Sequence, residues 1–195
     1  MKKILIVGAG AMGAAFSIPL LDNGHSVVLT EPYNFKLLQK LNSKKKIHPS
    51  LNINLPKKLK INKFSSDILN RKWDLIVIAV SSIGIDLIGK NLSKIKNKSP
   101  ILVLTKGLKL DGRNLISMSS LLRKYNKNLN ISVLKGPCLA KELARKVKSF
   151  TVIANKNINT AKKIGKLIST NYYQTEFSRD VNGVEFLSAI KNIYS

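Results

Sequence analysis

The strongest constraint on the fold is a six-residue glycine pattern, Gly8-Ala9-Gly10-Ala11-Met12-Gly13, set between an apolar run ending at Val7 and a stretch of helical period. A strand must end there, turn sharply and enter a helix. Gly8 permits the tight turn, Gly10 lets the backbone approach a pyrophosphate, and Gly13 allows helix and strand to pack closely. The N–H groups that open the helix have no intrahelical partners, so they favour an anion. Glu31 follows a second apolar run, 18 residues after Gly13, near the ~20 at which an acid accepts bonds from an adenosine ribose. The same carboxylate would repel a 2′-phosphate, which favours NAD over NADP, although Lys36 nearby weakens that preference.

Beyond this turn, runs rich in Ile and Val alternate with segments of helical period, the pattern of a parallel sheet covered by helices, an α/β Rossmann-type doubly wound fold. Strands are expected at 3–7, 26–30, 75–80, 101–104, 131–134 and 150–154. Helices are expected at 11–21, 33–41, 85–95, 115–125, 139–145, 160–169 and from 181 to the end. Pro19 should kink the first of them. The stretch 42–63, with three lysines in a row and two prolines, reads as an irregular excursion. The polar stretch 175–180 reads as a linker. These boundaries divide the chain into a dinucleotide-binding domain, 1–178, and the first helix of a C-terminal all-helical substrate domain, 179–195. Ser195 follows no helix-stop signal, which is the pattern of a chain cut inside that second domain.

The formal net charge of +24 would by itself suggest a nucleic-acid or membrane surface. The lysines are spread along the whole chain, so no nucleic acid is expected as a partner. The single cysteine, Cys138, permits no disulfide within the chain, and no apolar stretch reaches the ~20 residues of a membrane span. A cytoplasmic location follows as the expectation. Met1-Lys2-Lys3 followed by apolar residues imitates a signal peptide, but the same residues carry the better-ordered glycine motif. No metal-ligand spacing occurs.

Three further motifs narrow the reading. Thr105-Lys106-Gly107 follows one expected strand; Gly136-Pro137-Cys138-Leu139-Ala140-Lys141-Glu142 follows another; Ala189-Ile190-Lys191-Asn192 lies in the terminal helix. In an open α/β sheet ligands bind outside the carboxyl ends of strands, where Lys106 and Gly136 both fall. Lys191 shares a helix face with Val184, Leu187 and Tyr194, so it should point inward. A lysine on such a stripe either snorkels past it or is held in a site with a lowered pKa.

With Asn23-Gly24-His25 and Asp180-Val181-Asn182-Gly183-Val184-Glu185, the order and spacing of these motifs resemble the NAD(P)-dependent glycerol-3-phosphate dehydrogenase family along essentially the whole chain. The resemblance implies an oxidoreductase that interconverts dihydroxyacetone phosphate and sn-glycerol 3-phosphate with NAD(P)H. It implies that Lys191 exchanges a proton with the substrate's C2 oxygen and that Asn192 touches substrate. Lys106 would stand between cofactor and substrate, Gly136 and Cys138 in the substrate loop. Ala11, Met12, Pro32 and Ala140 would line the cofactor, and a full-length form is compatible with a homo-oligomer. Cys138 stands where Ser or Thr is commoner, and Ser81 where proline is common. The residues that complete the family's substrate site belong to the C-terminal domain, so turnover by this chain should be impaired. A related reductase, such as a ketopantoate reductase, is the near alternative; a non-catalytic nucleotide- or nucleic-acid-binding fragment is the other.

Overall fold

The computed structural model of the protein describes residues 1–95 and 98–190. Its strands are β1 (Lys3–Val7), β2 (Ser26–Glu31), β3 (Ile47–His48), β4 (Ile53–Asn54), β5 (Lys60–Lys63), β6 (Leu75–Ile78), β7 (Ile101–Val103), β8 (Leu108–Asp111), β9 (Asn114–Ser117), β10 (Ile131–Lys135), β11 (Ser149–Ala154) and β12 (Tyr173–Ser178). Its helices are α1 (Ala11–Asp22), α2 (Phe35–Leu41), α3 (Ser66–Asn70), α4 (Ile85–Leu92), α5 (Met118–Tyr125), α6 (Ala140–Ala144), α7 (Ile158–Ile168) and α8 (Val181–Ile190).

Eight strands form one sheet in the order β12-β11-β10-β7-β6-β1-β2-β5, and β3–β4 and β8–β9 form separate ribbons. From β5 to β10 every pairing is parallel. This is the doubly wound dinucleotide order, with the switch point between β1 and β6. Because side chains alternate along a strand, β1 sends Ile4 and Ile6 to one face and Leu5 and Val7 to the other. The first face packs against α1 and α7, with Phe16, Leu20, Ile164 and Ile168 buried; the second packs against α4, α5 and Val181 of α8. The central strands are buried on both sides, which is why they read as unbroken apolar runs.

All six expected strands are present, each within two residues of its expected ends, and α1 runs through Pro19. Four expectations are corrected. The stretch 42–63 is not merely irregular: it holds the β3–β4 hairpin and β5, which pairs with β2. In β5 only Ile61 is buried, because the strand lies at the edge, where lysines protect unpaired backbone. The stretch 175–180 is no linker, since β12 reaches Ser178 and pairs along its whole length with β11. The helix expected from 115 starts at Met118, and Asn114–Ser117 is a strand closing a hairpin with β8 through the two-residue turn Gly112-Arg113. Finally, the sheet is not wholly parallel: β11 runs antiparallel to β10, and β12 follows β11.

That reversal sets the course of α8. Val181 packs low in the sheet core with Ile131 and Ala154, whereas Val184, Leu187 and Ser188 stand beside Lys135 and Gly136 at the carboxyl end of β10. The helix therefore runs alongside β10 toward the rim where the motifs cluster. At its start Asp180 accepts a 2.8 Å bond from the Gly183 N–H, a side-chain cap for an otherwise unpaired amide.

Candidate functional site

The glycine turn has the geometry its spacing demands. Gly8 has φ +109°, and a Cβ there would lie 2.6 Å from the Ala79 carbonyl; a Cβ on Gly13 would lie 1.9 Å from the Gly8 oxygen. Neither position admits a side chain without moving backbone. Gly10 differs, because a Cβ there would meet no protein atom within 4 Å. Gly10 is also the N-cap of α1 and no side chain caps that helix, so its first N–H groups are left for an anion. The open space over Gly10 leaves room for a bulky anion against the start of α1.

One side of the turn opens on a cleft of about 250 Å³ lined by Gly8, Gly10, Glu31, Tyr33, Leu37 and Ser81, among others. Glu31 is buried at its wall. It accepts bonds from the N–H groups of Ala9 (2.8 Å), Tyr33 (2.9 Å) and Asn34 (3.1 Å). A carboxylate has about four acceptor positions, so three are committed to backbone and about one remains open. Glu31 thus ties β2 to the glycine turn. Tyr33 closes this compartment, its hydroxyl donating to the Gly84 carbonyl at 2.5 Å.

The cleft continues past Ala79 and Val80 into a second compartment of about 290 Å³, where Met12, Thr105, Lys106, Cys138 and Ala140 meet. Thr105 donates to the Val80 carbonyl at 2.8 Å, locking the ends of β6 and β7 together. Lys106 is exposed and projects from this seam. Burial pushes the Cys138 thiol up, so it stays protonated at neutral pH. A third compartment, about 250 Å³, lies between the Gly136-Pro137 turn and α8, lined by Lys135, Val152, Val184, Leu187 and Ser188. A larger depression, about 470 Å³, lies at the amino ends of the strands around Lys2, Pro100 and Asn130; it contains none of the motif residues.

The structure therefore brings together Gly8, Gly10, Met12, Glu31, Lys106, Gly136, Cys138 and Ala140 along one rim, with Ala11 and Gly13 in the first turn of α1. Pro32 follows Glu31, half-buried, and lines none of these compartments. Lys191 and Asn192 lie outside the described residues. Leu187, expected on an inward stripe, is 72% exposed at the cleft mouth; the buried positions of α8 are Val181 and Glu185. A glutamate can face the core because both of its carboxylate oxygens are hydrogen-bonded, accepting from Ser117 Oγ (2.6 Å), Ser119 N–H (3.1 Å) and Ser119 Oγ (2.5 Å).

Lys135 was not foreseen. It lies at the end of β10, 4% exposed, and its ammonium donates to the carbonyls of Leu104 (3.3 Å) and Thr105. Burial, reinforced by Lys106 and opposed by Glu185, lowers its pKa to about 8. Its only sequence signal was a charge closing an otherwise apolar strand, directly before Gly136. Among the described residues no group of three or more His, Cys, Asp or Glu could hold a metal, and no helix is long and apolar enough to cross a membrane.

Residues 3–161 match the N-terminal region of NAD-dependent glycerol-3-phosphate dehydrogenase. The chain is 33% identical to the glycerol-3-phosphate dehydrogenase [NAD(P)+] of Leptospira biflexa and 27% identical to the NADP(+)-dependent glycerol-3-phosphate dehydrogenase of Archaeoglobus fulgidus. Each match covers 98% of this chain and 58% of the relative. The solved glycerol-3-phosphate dehydrogenase of Coxiella burnetii superposes with a TM-score of 0.83 at 24% identity, over 98% of this chain and 58% of that one. That of Plasmodium falciparum gives 0.87 at 20% identity, over 98% and 56%, which confirms the fold. The chain thus spans a little under three-fifths of these relatives' length, and over that span it belongs to the NAD-dependent glycerol-3-phosphate dehydrogenase family.

Proposed function

We propose that the chain binds NADH along the rim from Glu31 to Ala140 and forms the cofactor half of an enzyme interconverting dihydroxyacetone phosphate and sn-glycerol 3-phosphate. The observation that carries this reading is the open cradle at Gly10, flanked by an adenosine-sized compartment on one side and by Lys106 and Cys138 on the other. When bound, the nicotinamide supplies the hydride. The chain's own residues bind and orient. The first turn of α1 takes the diphosphate, Glu31 takes a ribose hydroxyl, and the backbone around Gly136 and Cys138 faces the substrate.

Lys106 and Lys135 make this rim positive, which suits a phosphorylated substrate. Lys191 as proton carrier and Asn192 as substrate contact are proposed from the family pattern alone. Residues from 179 onward are proposed to begin the helical substrate domain, and a cytoplasmic location fits the single buried thiol.

Fluorescence titration of the 195-residue chain with NADH and NADPH tests the reading. NADH should bind more tightly in physiological salt, because Glu31 repels a 2′-phosphate. Gly10→Asp should abolish binding of both by placing a carboxylate in the anion cradle. Tighter NADPH binding would overturn the cofactor preference; binding of neither would overturn the reading itself.

A further inference from the structure

His48 lies far from every motif in the sequence, within the lysine-rich excursion, yet it is 1% exposed and touches the glycine turn. Its Nε2 lies 3.0 Å from the Ala9 carbonyl oxygen, and the Leu51 N–H points at its Nδ1 from 3.3 Å. A carbonyl only accepts and an amide N–H only donates. The ring must therefore be the neutral tautomer with its proton on Nε2. The same Ala9 gives its N–H to Glu31 at 2.8 Å. One residue of the glycine turn is thus gripped at both polar atoms, by β2 through Glu31 and by β3 through His48. The hairpin that carries the imidazole is itself anchored, because Leu51 and Leu55 are buried against Leu29, Leu38 and Leu41. Its turn closes with Asn52 at φ 53°, the Asn52 N–H donating to the His48 carbonyl at 2.8 Å.

We propose that His48 is a positioning residue of the dinucleotide site, presetting the Ala9 peptide, and with it the open cradle at Gly10, before a ligand arrives. The excursion 42–63 is then a buttress for the phosphate turn. A loop already held in its bound shape loses less conformational freedom on binding, so the grip appears as affinity. The proposal rests on the cofactor reading for its consequence in binding, but the grip itself exists without ligand.

The experiment therefore has two arms on the whole chain. The first, on the unliganded protein, records the ring ¹⁵N shifts of His48 and the amide exchange of Ala9. Wild type should show the Nε2–H tautomer. His48→Phe should speed exchange at Ala9 by about tenfold or more, the scale of one lost buried hydrogen bond, while Leu5 and Ile6 of β1 stay protected. The second arm titrates NADH at a temperature where both proteins are folded. His48→Phe should raise the Kd about tenfold. His48→Gln, whose amide nitrogen can reach the Nε2 position, should recover most of the loss.

The opposite tautomer, or unchanged exchange at Ala9, overturns the proposal whatever NADH does. If His48→Phe fails to fold, the wild-type tautomer and the glutamine variant decide it. Failure of wild type to bind NADH would instead sink the cofactor reading and leave the exchange result to judge the grip. A merely structural histidine would lower the melting temperature without moving Kd or confining the exchange change to the turn.

Discussion

Lys135 shows what a single residue can cost and supply. Its ammonium spans the two carbonyls just past the end of β7 and so fixes the peptide leading into Lys106, but it does so almost without water. Desolvation brings its pKa from the usual 10.5 to about 8. Between those values the unfolded chain keeps a proton that the folded chain has lost, so stability rises with pH across that window. At full extent the effect is about 3 kcal/mol. Urea unfolding of wild type and Lys135→Met at pH 7, 8, 9 and 10 should show wild type gaining on the variant above pH 8. A constant difference would mean that the ammonium stays charged and well paired throughout. Residues such as Gly8, Gly13 and Glu31 were legible in the sequence because a backbone constraint or a fixed spacing names the residue type. Lys135 and His48 were not, since their importance comes from contacts across 30 and 39 positions.

At the scale of elements, Glu185 fastens α8 to the end of β9 and the first turn of α5. The bonds run from a charged acceptor to two hydroxyls and one backbone N–H. Glu185→Ala should destabilise the chain by about 2–3 kcal/mol, by stranding buried donors. Glu185→Gln should cost about 1 kcal/mol, since the hydroxyls can turn toward an amide oxygen. Chemical denaturation distinguishes them, and a loss below about 0.5 kcal/mol for the alanine variant would show that the contact carries no weight. Elements with a strong period were legible, including all the buried parallel strands. The β8–β9 hairpin was overlooked although Asp111-Gly112, with Gly112 at φ 61°, is a strong hairpin signal between alternating apolar residues. The edge strands β5 and β12 were obscured for the opposite reason: exposed on one side, they carry the polar residues of loops.

For the whole molecule, 34 Lys and Arg against 10 Asp and Glu leave most cations without an anion. Four exposed pairs, Lys2 with Asp74, Lys109 with Asp86, Lys124 with Asp111 and Lys146 with Asp22, already engage four of those ten acids. Self-repulsion should outweigh such surface pairs. Raising NaCl from about 20 to about 300 mM should therefore raise the melting temperature, by shortening the Debye length below the spacing of the lysines. A fall would mean that the ion pairs dominate. The reversed β11–β12 pair also makes α8 a ruler. Val181 and Glu185, one turn apart on its buried side, fix the helix's rotational phase against the sheet. One residue inserted after Glu185 would turn everything downstream by about 100° and advance it by about 1.5 Å, swinging Leu187 and Ser188 away from Gly136. Four inserted residues would come within about 40° of the original phase while lengthening the helix by about 6 Å. Along this helix the cleft should therefore tolerate many changes of residue type and very few changes of length.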